Sequence, residues 1–224
     1  MHVKKCIHFI LYYFIVLPLL YIVNYIVFDL EVEGRENLKG IKGGVVICNH
    51  IHTLDCTMIG IAAFPRRATL VSQKENFEIP VAGWFVKHLG SLSTGKGYRE
   101  KKSFYKKAIN TLKNEKLVCI YPEGELEPYC KYIREFKKGA FLIAAKTNSP
   151  IIPMRIMMRP CTGLRRIYRR KPLFSIHIEK PIYPKGNTMY EKSQYLYIES
   201  LKAMDKIVEQ SYTADNLIRE ERPV

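Results

Sequence analysis

The run Gly44-Val45-Val46-Ile47-Cys48, preceded by Gly43 and followed by Asn49-His50-Ile51-His52-Thr53-Leu54-Asp55, constrains this chain more than any other stretch. Small and β-branched apolar residues bounded by glycines and a polar cluster predict a short buried strand. His50 is then delivered at a strand end, where open α/β sheets carry their chemistry. On one continuous helix His50 and Asp55 would point about 140° apart, since each residue advances roughly 100°. A turn must separate them. With a helix starting near Thr53, a favoured N-cap type, Asp55 falls in the first turn and its carboxylate reaches back to the imidazole. Such a pair is an oriented general base: the carboxylate sets the tautomer and stabilises the imidazolium, while the other ring nitrogen takes a proton.

Two plainer readings fit the same residues. A histidine beside an aspartate is often no more than a satisfied polar pair. His50, His52 and Asp55 also have the spacing of a metallohydrolase site. The other histidines, His2, His8, His88 and His177, join no tight acidic group, and a metal centre needs a fuller ligand set, so no metal is expected.

Downstream the pattern alternates between short apolar runs and amphipathic stretches. Strands are expected at Gly44–Cys48, Ala68–Ser72, Gly90–Thr94, Leu117–Tyr121, Ile151–Met157 and Phe174–Ile178. Helices are expected at Asp55–Phe64, Tyr98–Asn114, Gly139–Thr147 and Met189–Gln210, with a helical turn at Gly83–Leu89. This alternation predicts an α/β fold with a mixed, mostly parallel sheet flanked by helices. His50 and Glu123 would then leave strand C-terminal ends on one rim.

The charge balance, 36 basic against 21 acidic residues for a net +15, favours anionic partners. No zinc-finger spacing, RNA-recognition aromatic signature or basic zipper accompanies it, so nucleic acid is not expected. An anionic membrane surface explains the charge together with the greasy N-terminus. The basic runs Lys101-Lys102, Lys106-Lys107 and Arg165-Arg166-Ile167-Tyr168-Arg169-Arg170-Lys171 would face that surface, an acidic partner, or plain solvent.

Five blocks in order carry a resemblance. His50 to Asp55 is an H-x4-D block preceded by Asn49, and Gly90-Ser91-Leu92-Ser93-Thr94-Gly95-Lys96 follows. Next come Tyr121-Pro122-Glu123-Gly124, Phe136-Lys137-Lys138-Gly139-Ala140 and Pro150-Ile151-Ile152-Pro153. From about Val32 to Ile182 the chain resembles the 1-acylglycerol-3-phosphate acyltransferases. The resemblance implies a glycerol-3-phosphate acyltransferase-like fold. It also implies an O-acyltransferase moving a fatty acyl chain from acyl-CoA or acyl carrier protein to a lysolipid hydroxyl, with no cofactor beyond that co-substrate. His50 and Asp55 become the expected catalytic pair. Asn49, Lys74, Lys96, Glu123 and Gly124 become expected substrate-binding positions: Glu123 to orient acceptor hydroxyls, Lys74 and Lys96 for phosphates, and Asn49 or backbone amides near Gly90–Leu92 or Gly124 for the oxyanion. A noncatalytic, basic lipid-binding protein is the alternative.

Two departures stand out. Lys96 replaces the family's Arg, which keeps charge but loses the bidentate fork. Glu125-Leu126 replaces Thr-Arg after Glu-Gly. Either the acceptor head is less anionic than a phosphomonoester, or nearby Lys131, Arg134, Lys137 or Lys138 supplies the missing charge.

Cys6, Cys48, Cys56, Cys119, Cys130 and Cys161 show no CxxC pair and read as reduced thiols. Cys56 beside Asp55 reads as packing, since the family needs no acyl-enzyme.

Ile7 to Phe28 is apolar over about 22 residues, enough to cross a bilayer. Lys4 and Lys5 precede it while Asp29, Glu31 and Glu33 follow, which by charge alone puts the catalytic part outside. A cytosolic thioester donor conflicts with that. Pro18 offers a re-entrant hairpin that leaves both ends on the cytoplasmic face, with Tyr12, Tyr13, Tyr21 and Tyr25 at the interface, and a plain single span is the rival. Residues 1–30 are thus the expected membrane anchor and 31–224 the acyltransferase domain.

Overall fold

Among the described residues, seven strands gather into one sheet in the order β1-β7-β6-β2-β5-β3-β4. They are β1 (Glu31–Glu33), β2 (Gly44–Cys48), β3 (Ala68–Ser72), β4 (Leu92–Ser93), β5 (Leu117–Ile120), β6 (Ile151–Arg159) and β7 (Leu173–Ile178). The computed structural model describes residues 12–78, 91–95, 97–160 and 173–220. The run β6-β2-β5-β3-β4 is parallel throughout. β7 turns back antiparallel to β6, and β1 lies parallel to β7. The sheet is therefore mixed and mostly parallel, as the alternating pattern predicts.

Alternation within strands builds two apolar layers. Val46 and Cys48 of β2, with Leu117 and Cys119 of β5, face a cluster shared with α2 (Asp55–Ala63) and the N-terminal helical stretch. Val45, Ile47 and Val118 face the opposite cluster, filled by α3 (Tyr98–Lys113), α4 (Gly139–Thr147) and α5 (Met189–Glu220). Covered on both faces, β2 is buried at every residue, which is why it reads as a continuous apolar run. Each fully buried aliphatic side chain contributes about 1.5–3 kcal/mol.

Several boundaries moved. The expected strand 90–94 contracts to β4, and the expected helical turn at 83–89 lies outside the described residues. β1 was not anticipated: Glu31-Val32-Glu33 offers one apolar residue, half-buried, at a sheet edge. Helix α2 begins at Asp55 as the expected Asp55–Phe64 helix does, but Thr53 does not cap it, and no side chain does; the Asp55 amide bonds instead to the His52 carbonyl at 3.1 Å.

The expected hairpin at Pro18 does not form among the described residues. Helical turns run without a break from Tyr12–Val16 through α1 (Leu17–Tyr21) to Ile22–Val27, the outer two segments being wider π-type turns. Pro18 stands where the π-type turns ending at Val16 give way to α1, and the wider turns ahead of it accommodate the ring and the missing N–H without ending the run. One side of this stretch docks on α2. There the buried Asn24 donates its side-chain amide to the Leu20 carbonyl at 2.7 Å and to Thr57 Oγ1 at 3.1 Å. The other side leaves Phe14 73% and Ile26 64% exposed, beside exposed Ile15, Leu19, Ile22 and Val27. No described helix is long and apolar enough to cross a membrane. Lys4, Lys5 and the start of the apolar run lie outside the described residues.

Candidate active site

Because β2 and β5 are adjacent and parallel, the loops leaving them meet above their C-terminal ends. His50 follows β2 and Tyr121-Pro122-Glu123-Gly124 follows β5. The turn through Thr53-Leu54 brings Asp55 back, so that His50 Nδ1 lies 2.7 Å from Asp55 Oδ2. The Asp55 side chain is 1% exposed and that of His50 23%, so the carboxylate is sealed while the imidazole keeps an open edge. An Nδ1–H pointed at a carboxylate leaves Nε2 as the basic nitrogen.

Tyr121 completes this pair, and the sequence reading passed over it. Its hydroxyl donates to Asp55 Oδ1 at 2.8 Å, and its ring stacks on the imidazole with centroids 4.2 Å apart and planes 16° apart. Burial, and then the neighbouring Asp55 charge, push its phenol well above the ordinary range and keep it a donor. The available signal was its position as the aromatic residue ahead of Pro122-Glu123-Gly124.

Glu123 is placed differently from the expectation. Its carboxylate is buried and accepts from the His50 backbone amide at 3.2 Å, from the Arg134 amide at 3.3 Å, and from Arg134 Nε and Nη2 at 3.1 and 2.5 Å. It ties the His50 loop to the 130s segment instead of facing an acceptor hydroxyl. Arg134 Nη2 also donates to the carbonyls of His50, at 3.4 Å, and Glu125. The segment is stitched further by Glu127 N to His50 O at 3.1 Å and Tyr129 N to Ile51 O at 2.9 Å.

Asn49, expected near the oxyanion, is 2% exposed and turned into the sheet. Its side-chain amide donates to the Ile156 carbonyl and accepts from the Ile156 amide, both at 2.8 Å, so both groups are engaged within the buried edge of the sheet and not at an open face. The Gly124 amide is likewise occupied, donating to Tyr121 O at 3.1 Å. Gly124 adopts φ +85°, a left-handed conformation natural to glycine, and a side chain there would collide with the arm of Lys137. Lys74 sits on the rim after β3, exposed and ion-paired with Glu100 at 3.2 Å. Lys96 and Gly90 lie outside the described residues, as does the basic run 165–171.

His52 does not join a ligand set with His50. Its Nδ1 accepts the Leu54 amide at 3.1 Å, and its ring sits among Phe28, Phe174 and Tyr129. Cys56 is no nucleophile at neutral pH: burial, reinforced by the Asp55 charge, pushes its thiol up to about 12. Burial raises Cys48 and Cys119 well above the ordinary range too.

The 1-acyl-sn-glycerol-3-phosphate acyltransferase of Saccharomyces cerevisiae is 33% identical over 130 residues, 56% of this chain and 42% of that protein. The chloroplastic enzyme of the same name from Brassica napus is 29% identical over 178 residues, 76% of this chain and 50% of that one. The chain thus spans about half the length of these curated relatives. The crystal structure of the 1-acyl-sn-glycerophosphate acyltransferase PlsC from Thermotoga maritima superposes with a TM-score of 0.59 at 24% identity, covering 86% of this chain and 79% of that one, and shares its fold. The Acyltransferase family model matches residues 29–157, which include the His50–Asp55 pair and Glu123, and the chain belongs to that family.

Proposed function

We propose that this protein is an O-acyltransferase that moves a fatty acyl chain from a thioester donor, acyl-CoA or acyl carrier protein, to the hydroxyl of a lysophospholipid. The observation that carries the reading is the 2.7 Å contact between a half-open His50 and a sealed Asp55 at the C-terminal rim of a parallel sheet. His50 Nε2 removes the acceptor hydroxyl proton as the oxygen attacks the thioester carbonyl. Asp55, itself held by Tyr121, stabilises the imidazolium that results. The tetrahedral oxyanion then expels the thiolate, which takes the proton back from His50 as thiol. The carbon–sulfur bond breaks, the carbon–oxygen ester bond forms, and no redox partner is needed.

Lysophosphatidic acid is the acceptor favoured by the likeness to enzymes named for it. A place at the membrane surface is supported by the bare apolar side of the Tyr12–Val27 stretch, which suits burial in one leaflet beside anionic headgroups, and a cytosolic thioester donor would make that surface the cytoplasmic face. The test is an acyl-transfer screen of the purified protein with a labelled acyl thioester against a panel of lysolipids. Label appearing in a diacyl product supports the reading. Donor binding without transfer to any acceptor overturns it in favour of a noncatalytic lipid binder.

A further inference from the structure

The segment after Gly124 lacks the forked cation that a phosphate-reading loop would need: Glu125 is exposed and Leu126 is apolar. A guanidinium nevertheless reaches this spot from further along the chain. Arg134 lies eleven residues beyond Glu123 in sequence, yet its Nε and Nη2 hold Glu123 and its Nη2 touches the backbone of both His50 and Glu125. Four restraints on one edge of the fork leave the other nitrogen, Nη1, with no hydrogen bond among the described residues. The Arg134 side chain is 21% exposed, so the fork is not fully sealed from solvent. A charged fork immobilised on one edge and unbonded on the other is preorganised for a second anion. Lys137 adds to it, since its arm passes over Gly124 and its ammonium has no carboxylate partner among the described residues.

Resting on the acyltransferase reading above, we propose that Arg134, seconded by Lys137, reads the acceptor phosphate in place of the arginine missing at position 126. The acceptor chemistry fits the spacing. In a lysolipid phosphate the reacting hydroxyl and the phosphorus are separated by only two carbons and an ester oxygen. Here the guanidinium lies against the backbone of the residue that carries the base. Glu123 balances the charge of Arg134 in the empty site and fixes the fork, so the phosphate meets a rigid donor and not a mobile one. The exposed Glu125 carboxylate does not exclude the phosphate, because it projects to solvent while its carbonyl is what faces Arg134.

The experiment compares kcat/KM for lysophosphatidic acid with that for 1-monoacylglycerol, which presents hydroxyls without phosphate. Arg134→Lys keeps a cation on buried Glu123 and so keeps the fold, checked by its melting curve, but removes the free edge. The ratio of the two kcat/KM values should fall about ten-fold or more, the effect of losing a charge-assisted hydrogen bond. Lys137→Ala should lower the ratio in the same direction. Adding Leu126→Arg to Arg134→Lys should recover the ratio, because it returns a fork to the vacant position. An unchanged ratio in Arg134→Lys overturns the proposal, as does a wild-type protein that prefers the uncharged acceptor. Wild-type protein that acylates neither acceptor overturns the parent reading instead, so the two failures are told apart.

Discussion

Tyr121 holds His50 and Asp55 at once: its ring lies flat on the imidazole at 4.2 Å while its hydroxyl bonds the carboxylate oxygen that the imidazole does not use, at 2.8 Å. One side chain thereby fixes both the plane of the base and the lone pairs of its orienting partner. Tyr121→Phe keeps the stack and deletes the bond. Leaving a buried Asp55 oxygen unpaired should cost about 1–3 kcal/mol of stability. The turnover number should fall about three- to ten-fold with KM little changed, since substrate contacts survive. A variant with wild-type kcat and melting temperature would show the hydroxyl to be idle.

His50→Ala should lose on the order of 10²–10⁴-fold in turnover, the usual contribution of a positioned general base, while remaining folded by circular dichroism. Asp55→Asn should lose less in proton transfer but more in stability, because its buried side chain then offers an amide where His50 and Tyr121 both require an acceptor. Wild-type turnover by folded His50→Ala would remove His50 from the mechanism.

Glu123→Ala separates a structural hub from a substrate ligand. It strands the Arg134 guanidinium and the His50 amide, and breaking a buried pair from one side costs about 3–5 kcal/mol. Thermal unfolding should therefore shift strongly. Loss of activity at an unchanged melting temperature would instead place Glu123 on the substrate.

The Cys56 thiol gives a pH test. With a folded value of about 12 against an ordinary 9.0, fewer than about one molecule in ten thousand carries the thiolate at pH 7.5. Iodoacetamide at that pH should leave Cys56 unlabelled in the native protein, and Cys56→Ala should keep acyl transfer within about two-fold. Because the unfolded chain releases its thiol protons near pH 9 and the folded chain near 12, this group's contribution to stability is complete below pH 9. It is lost as pH rises across that window. Denaturant midpoints measured from pH 8 to 11 should therefore decline.

Membrane attachment can be read by flotation with anionic vesicles. Ile22→Glu with Ile26→Glu places two charges on the bare side of the N-terminal stretch, away from the Asn24–Thr57 contact, and should abolish flotation while the melting temperature holds. Protease protection in sealed vesicles should find Met1 and the catalytic part on one side. Flotation of the double variant at wild-type levels would take the attachment away from this face.

Much of the architecture was legible because β2, β3 and α4 are short elements with sharp ends, marked by glycine, proline or a polar cluster. The pairing of His50 with Asp55 was also legible, since five residues across a turn admit little else. Glu123 misled because a carboxylate at a strand end has the same signature whether it meets substrate or an arginine arriving from a later loop. Arg134 is separated from it by a segment without periodic pattern, so its arrival is a property of tertiary folding alone. Asn49 misled for a related reason: only the β6 register, which ends at Cys48 opposite Met154 and leaves Ile156 two residues on within reach of the side chain, reveals which way the amide turns. Pro18 suggests a break, but it falls where π-type turns give way to α1 and the helical run passes through it.

The Asn49 side chain has a consequence for how far the base can travel from the sheet. β2 ends at Cys48, and the next rung of its ladder with β6 is made by an amide side chain that gives and accepts at the same spacing as a peptide group. The main chain is thereby excused from the sheet one residue early and can swing His50 outward without exposing an unpaired edge of β6. Position 49 therefore admits a narrow choice. Aspartate cannot donate to the Ile156 carbonyl, leucine can do neither, and glutamine carries the amide one methylene too far.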